Sequence, residues 1–600
     1  MTALGTFKSQ IYVMVEGIPL SPFIAGQLVS ADVESSMFLP DQFRLVFRGS
    51  RSDVLEQGRF QIASEVEISM LAGEERLPLV TGEVTALEVD FGRDGNLTVI
   101  TGLDRCHRMM MGTKGMSWVG MTASDIVLEI IDDYGMIPGE IEPTTTVYPV
   151  LEQPNISDWA FVQQLAFLEN RDAYISQGFF TFKAPALASE GDTIPAMNYE
   201  TPVLASQLVL GKNLLHLHAV VTGSEQVPTV TVMGWDPTLA VPVTGVNVVT
   251  PVSSAPDDPG AEPEIVSGEL GSKEFIFSDW PCDSEGQAET RAQSIAAQLA
   301  GGFAEMEGEC QGDPNVVAGA VVSLGMAGQP FDGKYVVTSA RHRFTPGAGG
   351  YTTWFNVGGR RDRGLASLGG ASDPRLERQA IPGVAIGVVE QVDDPEEMCR
   401  VKVRYPWLGE MIVSDWVRTV QPGSGPGYGF VVIPEPETEV LLAFDHGDIN
   451  HPYIIGNLYN GMARPIPPPT MDPAGGIGER RIESRLHHML QFNDGPEEQG
   501  INLVTGEDEC AITLSVEGSG GTNTITINSL GEVVIKAEGA VQIQSVGDMS
   551  LTSTGMLSLS ADGEVSISSQ AALTMKANAE MALQCSAVLT VSGSEIMLGG

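Results

Sequence analysis

Positive charge is what this sequence has least of. Its 600 residues carry 33 Lys and Arg against 77 Asp and Glu, a formal net charge of −44. A chain so poor in clustered cations has nothing with which to neutralise phosphates, so nucleic acid and anionic lipid are excluded as partners. Cysteine is also scarce: Cys106, Cys282, Cys310, Cys399, Cys510 and Cys585 stand far apart, without a C-x-x-C pair. That excludes a zinc ribbon and a disulfide-stapled scaffold. There is no run of about 18 apolar residues to span a bilayer. Residues 1–9 lack the basic-then-apolar order of a secretory signal, so synthesis in the cytoplasm without a signal peptide is expected. Hydrolytic motifs are missing too: no G-x-S-x-G, no H-E-x-x-H and no P-loop. The expectation is a non-enzyme that uses no cofactor. Charged residues make up only 18% and apolar residues 42%, so the chain is not an acidic disordered tail.

What is present in abundance is a repeat. From residue 525 onward, apolar residues recur every eight positions in two series. One runs Ile525, Val533, Val541, Met549, Leu557, Val565, Leu573, Met581, Leu589 and Met597. The other lies two residues later: Ile527, Ile535, Ile543, Leu551, Leu559, Ile567, Met575, Leu583 and Val591. Small residues mark a third phase, Gly531, Gly539, Gly547, Gly555 and Gly563, then Ala571, Ala579 and Ala587. Each octad reads as one short strand closed by a small-residue turn. An octad spans only about 26 Å at ~3.3 Å per residue. A closed coil with faces ~10 Å apart needs roughly 45 Å. One octad per layer cannot enclose a dry core, whereas three chains giving one octad each can. The expectation is an intertwined homotrimeric β-prism with both apolar series at its axis. The alternative is a single-chain solenoid with two octads per coil. If the small-residue turns take positive φ, a β-branched residue at 547 is excluded.

Upstream the pattern is mixed. Strands are expected over 11–15, 42–48, 65–70, 79–89 and 97–101. A helix starts at Thr122, with Asp125 closing a capping box and Gly135 as stop. Others start at Ser157 and cover 285–300. Residues 251–263 (PVSSAPDDPGAEP) and 359–380 read as linkers. Residues 381–461 read as a small barrel of the OB type, with strands at 385–392, 399–403, 429–433, 439–443 and 453–456. A Pro-rich connector follows over 462–478, then a neck of short strands.

Individual candidates are few. His216 and His218 form an H-x-H on an expected strand and are the weak candidates for a metal. His487 and His488 point to opposite sides and read as neck polarity. Trp407 and Trp416 offer a sugar-binding face or ordinary packing.

The barrel carries VVEQVDDP from residue 388, RVKVRYPWL from 400, SDWVR from 414, QPGSGPGYGF from 421, TEVLLAFDHGD from 438 and PYIIGNLYNG from 452. This run resembles the barrel of VgrG-type spike proteins of type VI secretion and related contractile injection systems. The RRIESR from residue 480 and the FND from 492 resemble that family's neck. NISDW from 155 and GKYVV from 333 resemble a phage tail-hub domain. The resemblance implies a mainly β protein with some α. Hub domains would occupy 1–375, as β-barrels with a helical insert at about 117–200. The OB barrel, the 462–478 connector and a neck over 479–524 would follow, and a triple β-helix over 525–600. It implies a homotrimer at the tip of a contractile machine, piercing a target envelope when a sheath contracts. Implied partners are a hexameric inner tube, baseplate proteins, a PAAR-type tip protein docking near Ile596, Met597, Leu598, Gly599 and Gly600, and a cargo toxin. The chain ends in the octads and has no lysozyme-like insert, so no effector domain is expected. A phage baseplate hub with a host-surface role is the alternative, and an acidic extracellular adhesin a more distant one.

Overall fold

The computed structural model describes residues 10–49, 52–72, 75–92, 95–194, 206–224, 226–258, 262–347, 350–358, 380–409, 411–471, 473–495, 499–506, 509–516 and 523–597. The chain is mainly β and divides into two units, Met1–Ile466 and Pro467–Gly600. Most of the expected 359–380 linker lies outside the described residues.

The first unit is organised by an eleven-stranded sheet built from two distant stretches of chain. Strand Ser339–Thr345 pairs antiparallel with Leu28–Ser36, Ala340 opposite Ser35, and this seam joins the stretches. Alternation along each strand buries one side. Phe43, Phe47, Val66 and Ile68 fill one core, and Phe303, Tyr335, Val337 and Phe355 another. Between the stretches the chain leaves the sheet for a helical insert. Helix Ala123–Asp133 begins at a capping box in which Thr122 and Asp125 exchange hydrogen bonds. It ends just before Gly135, whose φ of 61° suits a residue without Cβ. Helix Asp158–Leu168 is capped by Ser157 and packs Phe161 against Trp118, ring centroids 6.3 Å apart. Helix Glu285–Gly301 lies on strand Val241–Val248, so close at Gly245 that a Cβ there would sit 2.3 Å from the Ala288 carbonyl carbon. One linker expectation is corrected: Ser254–Pro256 is a strand, paired with Gly333–Val336.

The barrel is a five-stranded sheet in the order Lys402–Arg404, Val384–Gln391, Glu439–Phe444, Pro452–Asn457, Arg418–Thr419. Val389, Val403, Tyr405, Val440, Leu442 and Ile454 are completely buried in it. Two expected strands differ. The 399–403 strand starts late because Glu397 and Cys399 hold positive φ, 56° and 60°, in the turn before it. Of the expected 429–433 strand only Gly429 is in a strand, Tyr428–Gly429, which pairs with Ser424–Gly425 outside the barrel sheet, and Arg418–Thr419 takes the fifth place. The backbone over 430–433 needs no ladder at Val432, because the Gln421 amide donates to the Val432 carbonyl at 3.0 Å and accepts from its N–H at 3.2 Å.

The second unit opens with an antiparallel meander: Glu479–Glu483, Met489–Asp494, Gln499–Val504, Cys510–Ser515 and Thr524–Ser529. Cross-strand register sorts its side chains by face. Phe492, Ile501, Leu514 and Ile525 form one row, and Ile482, Leu490, Leu503, Ile512 and Ile527 another. The row between them, Arg481, Gln491, Asn502, Thr513 and Thr526, is polar and faces the other way. Ile525 and Ile527, the first members of the two octad series, thus stand on the last strand of the neck.

Candidate functional site

Beyond the meander the chain becomes a ribbon without partners of its own. Among the described residues from 530 to 597 there is no strand and no bridge. The backbone bends at 538–539, 546–547, 554–555, 562–563, 570–571, 578–579 and 586–587, the places of the small residues. Gly531, Gly539, Gly547, Gly555 and Gly563 do not hold positive φ, so the conformational reason for glycine considered above does not apply. A Cβ added at Gly547 would meet nothing of its own chain. The apolar series are uncovered throughout: Val541 is 58% exposed, Ile543 72% and Leu559 73%. Ile596 and Met597 are also exposed, while Leu598, Gly599 and Gly600 lie outside the described residues.

The barrel is fastened to the preceding part of the first unit, residues 10–358 (the hub, a name for its position only), through residues the sequence did not single out. Gly115 lets barrel side chains approach the insert; a Cβ there would fall 2.7 Å from Leu408. The Asn450 side-chain oxygen accepts from the backbone N–H of Glu152 at 2.7 Å. His451 bridges Asp448 of the barrel and Asp283 of the hub, 3.1 Å to each. Burial alone would lower its pKa, but hydrogen bonds to these carboxylates outweigh that and hold it at about 9. Burial pushes Glu152 up to about 8, against the hydrogen bond from Ser117. The Asp-Asp-Pro turn of the barrel is tied by Asp394, which accepts from Arg400 and from three backbone N–H groups. The Arg400 contact holds its carboxyl far below the usual range.

The hub contains a carboxyl pair that resembles an acid–base dyad by its titration. Burial raises Asp104 to about 7, and burial together with the Asp104 charge also raises Asp41 well above the usual carboxylate range. Both are 1% exposed and closed in: the Asp41 N–H donates to Asp104 at 2.7 Å, and the Ser36 N–H to Asp41 at 3.1 Å. The pair ties a turn to the sheet.

His216 and His218 do share the exposed side of strand Leu214–Val221, opposite Glu309 and Glu307. The His216 ring sits 6.3 Å from that of Trp354. No three His, Cys, Asp or Glu side chains among the described residues converge as metal ligands. Trp407 donates to the Ile386 carbonyl at 3.0 Å and meets Tyr405 edge-on. Trp416 lies under the Lys402 ammonium, 5.2 Å from the ring centroid. His487 pairs with Glu483 and His488 accepts from the Gly506 N–H, both within the neck.

Residues 385–459 match the type VI secretion system/phage-baseplate injector OB domain. The model of the Alg8 N-terminal domain matches residues 52–346. The actin cross-linking toxin VgrG1 of Vibrio cholerae is 29% identical over 146 residues, 22% of this chain and 13% of that protein. The type VI secretion system spike protein VgrG4b of Pseudomonas aeruginosa is 34% identical over 103 residues, 14% of this chain and 13% of that protein. The matched part is thus a small share of these relatives' length. Among solved structures, a type VI secretion component of Escherichia coli is 12% identical at a TM-score of 0.46, covering 74% of this chain and 99% of the other. The Francisella PdpA–VgrG complex in its half-lidded form is 9% identical at 0.49, covering 87% and 88%. No helix among the described residues is long and apolar enough to cross a membrane. The chain carries the injector OB domain of type VI secretion systems and phage baseplates, and around that domain its sequence is similar to VgrG-type spike proteins.

Proposed function

We propose that this chain is the homotrimeric central spike of a contractile injection machine, without catalytic activity of its own. Three octad ribbons wind into a prism, hub domains dock on a hexameric inner tube, and a tip protein caps the end near Ile596–Met597. Contraction of a sheath then drives the prism through a target envelope. The observation that carries this reading is the ribbon itself: regular bends every eight residues and two apolar series with no cover inside the chain. Fully burying each such side chain contributes about 1.5–3 kcal/mol, a gain that opposes the mutual repulsion of three chains of charge −44. A prism pairs backbone groups between chains, which the isolated ribbon leaves unpaired. The same parts would serve a phage baseplate hub with a role at the host surface, since the OB domain is shared by both kinds of machine. Light scattering tests the assembly. The purified protein is expected at three times its 63.8 kDa chain mass. A monomer at micromolar concentration refutes the prism.

A further inference from the structure

The loop carrying Asp448, Asn450 and His451 joins barrel to hub with open space on both sides. A cleft of about 580 Å³ reaches to Trp235 of the hub and Trp416 of the barrel. A second, of about 340 Å³, reaches to Leu151 and Trp280. Asp283, Asn450 and His451 line both, so these residues form the wall between the two clefts. A narrow polar tether flanked by solvent is the geometry of a hinge, and the contact of Leu408 and Ile412 at Gly115 supplies an apolar pivot.

We propose that this loop is a proton-operated latch, in which His451, clamped between Asp283 and Asp448, and the buried Glu152 behind Asn450 hold the barrel on the hub while protonated and release it when they are not. The donor count gives the reason. An imidazolium donates from both ring nitrogens and satisfies both carboxylates; a neutral imidazole donates from one and leaves the other carboxylate facing a lone pair. Glu152 acts in the same direction. It is 3% exposed, one oxygen accepts from the Ser117 hydroxyl at 2.7 Å, and the other has no partner among the described residues. As a neutral acid it is tolerated there, whereas as a carboxylate it is an uncompensated buried charge.

The other charged side chains lining the two clefts with His451 are Asp445, Asp415, Arg400 and Arg418 of the barrel and Asp236, Glu152, Glu169 and Arg291 of the hub. The Tyr405 phenol is the titratable group of the barrel that senses Glu152. The sign is the same for both switches. The His451 contribution is fully present below its ordinary pKa of 6.5 and is lost as pH rises through about 9. The Glu152 contribution is present below 4.5 and is lost as pH rises towards 8. The latch is therefore tightest in acid and opens on the alkaline side of neutrality. The inference involves only residues of the first unit and does not rest on the trimer.

Hydrogen exchange of the full-length protein, corrected for intrinsic rates, tests it at pH 6 and pH 9.5. Peptides covering 280–284 and 446–453 are expected to lose protection at least about tenfold between the two, while the buried strands at Val389 and Val440 keep theirs. His451→Gln is expected to be poorly protected at both pH values, and Asp283→Asn likewise, the milder change in case the first fails to fold. Glu152→Gln is expected to keep protection to higher pH than the unaltered protein. Equal protection at the two pH values in the unaltered chain, or a variant of His451 or Asp283 as protected at pH 6 as the original, overturns the latch.

Discussion

Val440 of the barrel and Val541 of the ribbon are the same residue type, each in an alternating apolar pattern, yet one is fully buried and the other 58% exposed. The barrel curls a sheet so that its own strands cover Val389, Val403 and Leu442. An octad is too short to curl back, so its apolar side stays open until something else covers it. Alternation alone tells which side of a strand seeks burial. The length between turns decides whether the cover comes from the same molecule.

The sharpest way to break this contrast is to charge the ribbon. Val541→Asp with Ile543→Asp would place six carboxylates in an assembled prism, at several kcal/mol each. Light scattering is expected to shift from three chains towards one, with a large loss in melting temperature; an unchanged melt would show that these side chains do not face inward. The matching cut in the barrel, Leu442→Ala, is expected to destabilise by about 2–5 kcal/mol in denaturant titration while leaving the oligomeric state alone. Loss of assembly there would mean that the two regions are not independent. A third test concerns charge buried in the compact unit. Because the Glu152 pKa is raised to about 8, stability falls as pH climbs from 4.5 to 8. Glu152→Gln is expected to flatten that slope by about 1–3 kcal/mol, read from unfolding midpoints across the range. The smallest effect is expected for Gly547→Ala, within about 0.5 kcal/mol, since neither its φ nor its own chain demands glycine. A larger loss would locate a close approach by a neighbouring chain.

Local signals were legible wherever a short stretch carries its own instruction. The Thr122–Asp125 box and the Ser157 cap mark helix starts within the sequence itself, and alternation marks strands such as Gln42–Arg48. The eightfold spacing is legible for the same reason. The loss of strand over 430–433 was not, because the outcome there depends on one side chain outside the segment, Gln421, satisfying Val432 in place of a neighbouring strand. The strand Ser254–Pro256 was hidden by turn-forming neighbours, its partner lying some 80 residues on. The junction residues left no trace. Nothing near His451 announces that Asp283 will face it, since the pairing is created by packing a barrel on a helix-bearing hub.

The even spacing of the bends has an evolutionary corollary. Because side chains alternate with a period of two, inserting or deleting a whole octad leaves every later residue facing as before, so the ribbon can lengthen or shorten in fixed steps. A single-residue slip would put every apolar side chain downstream of it on the opposite side of the ribbon. Genetic drift in this segment is therefore expected to proceed by multiples of eight codons, with frame-preserving losses of one residue purged.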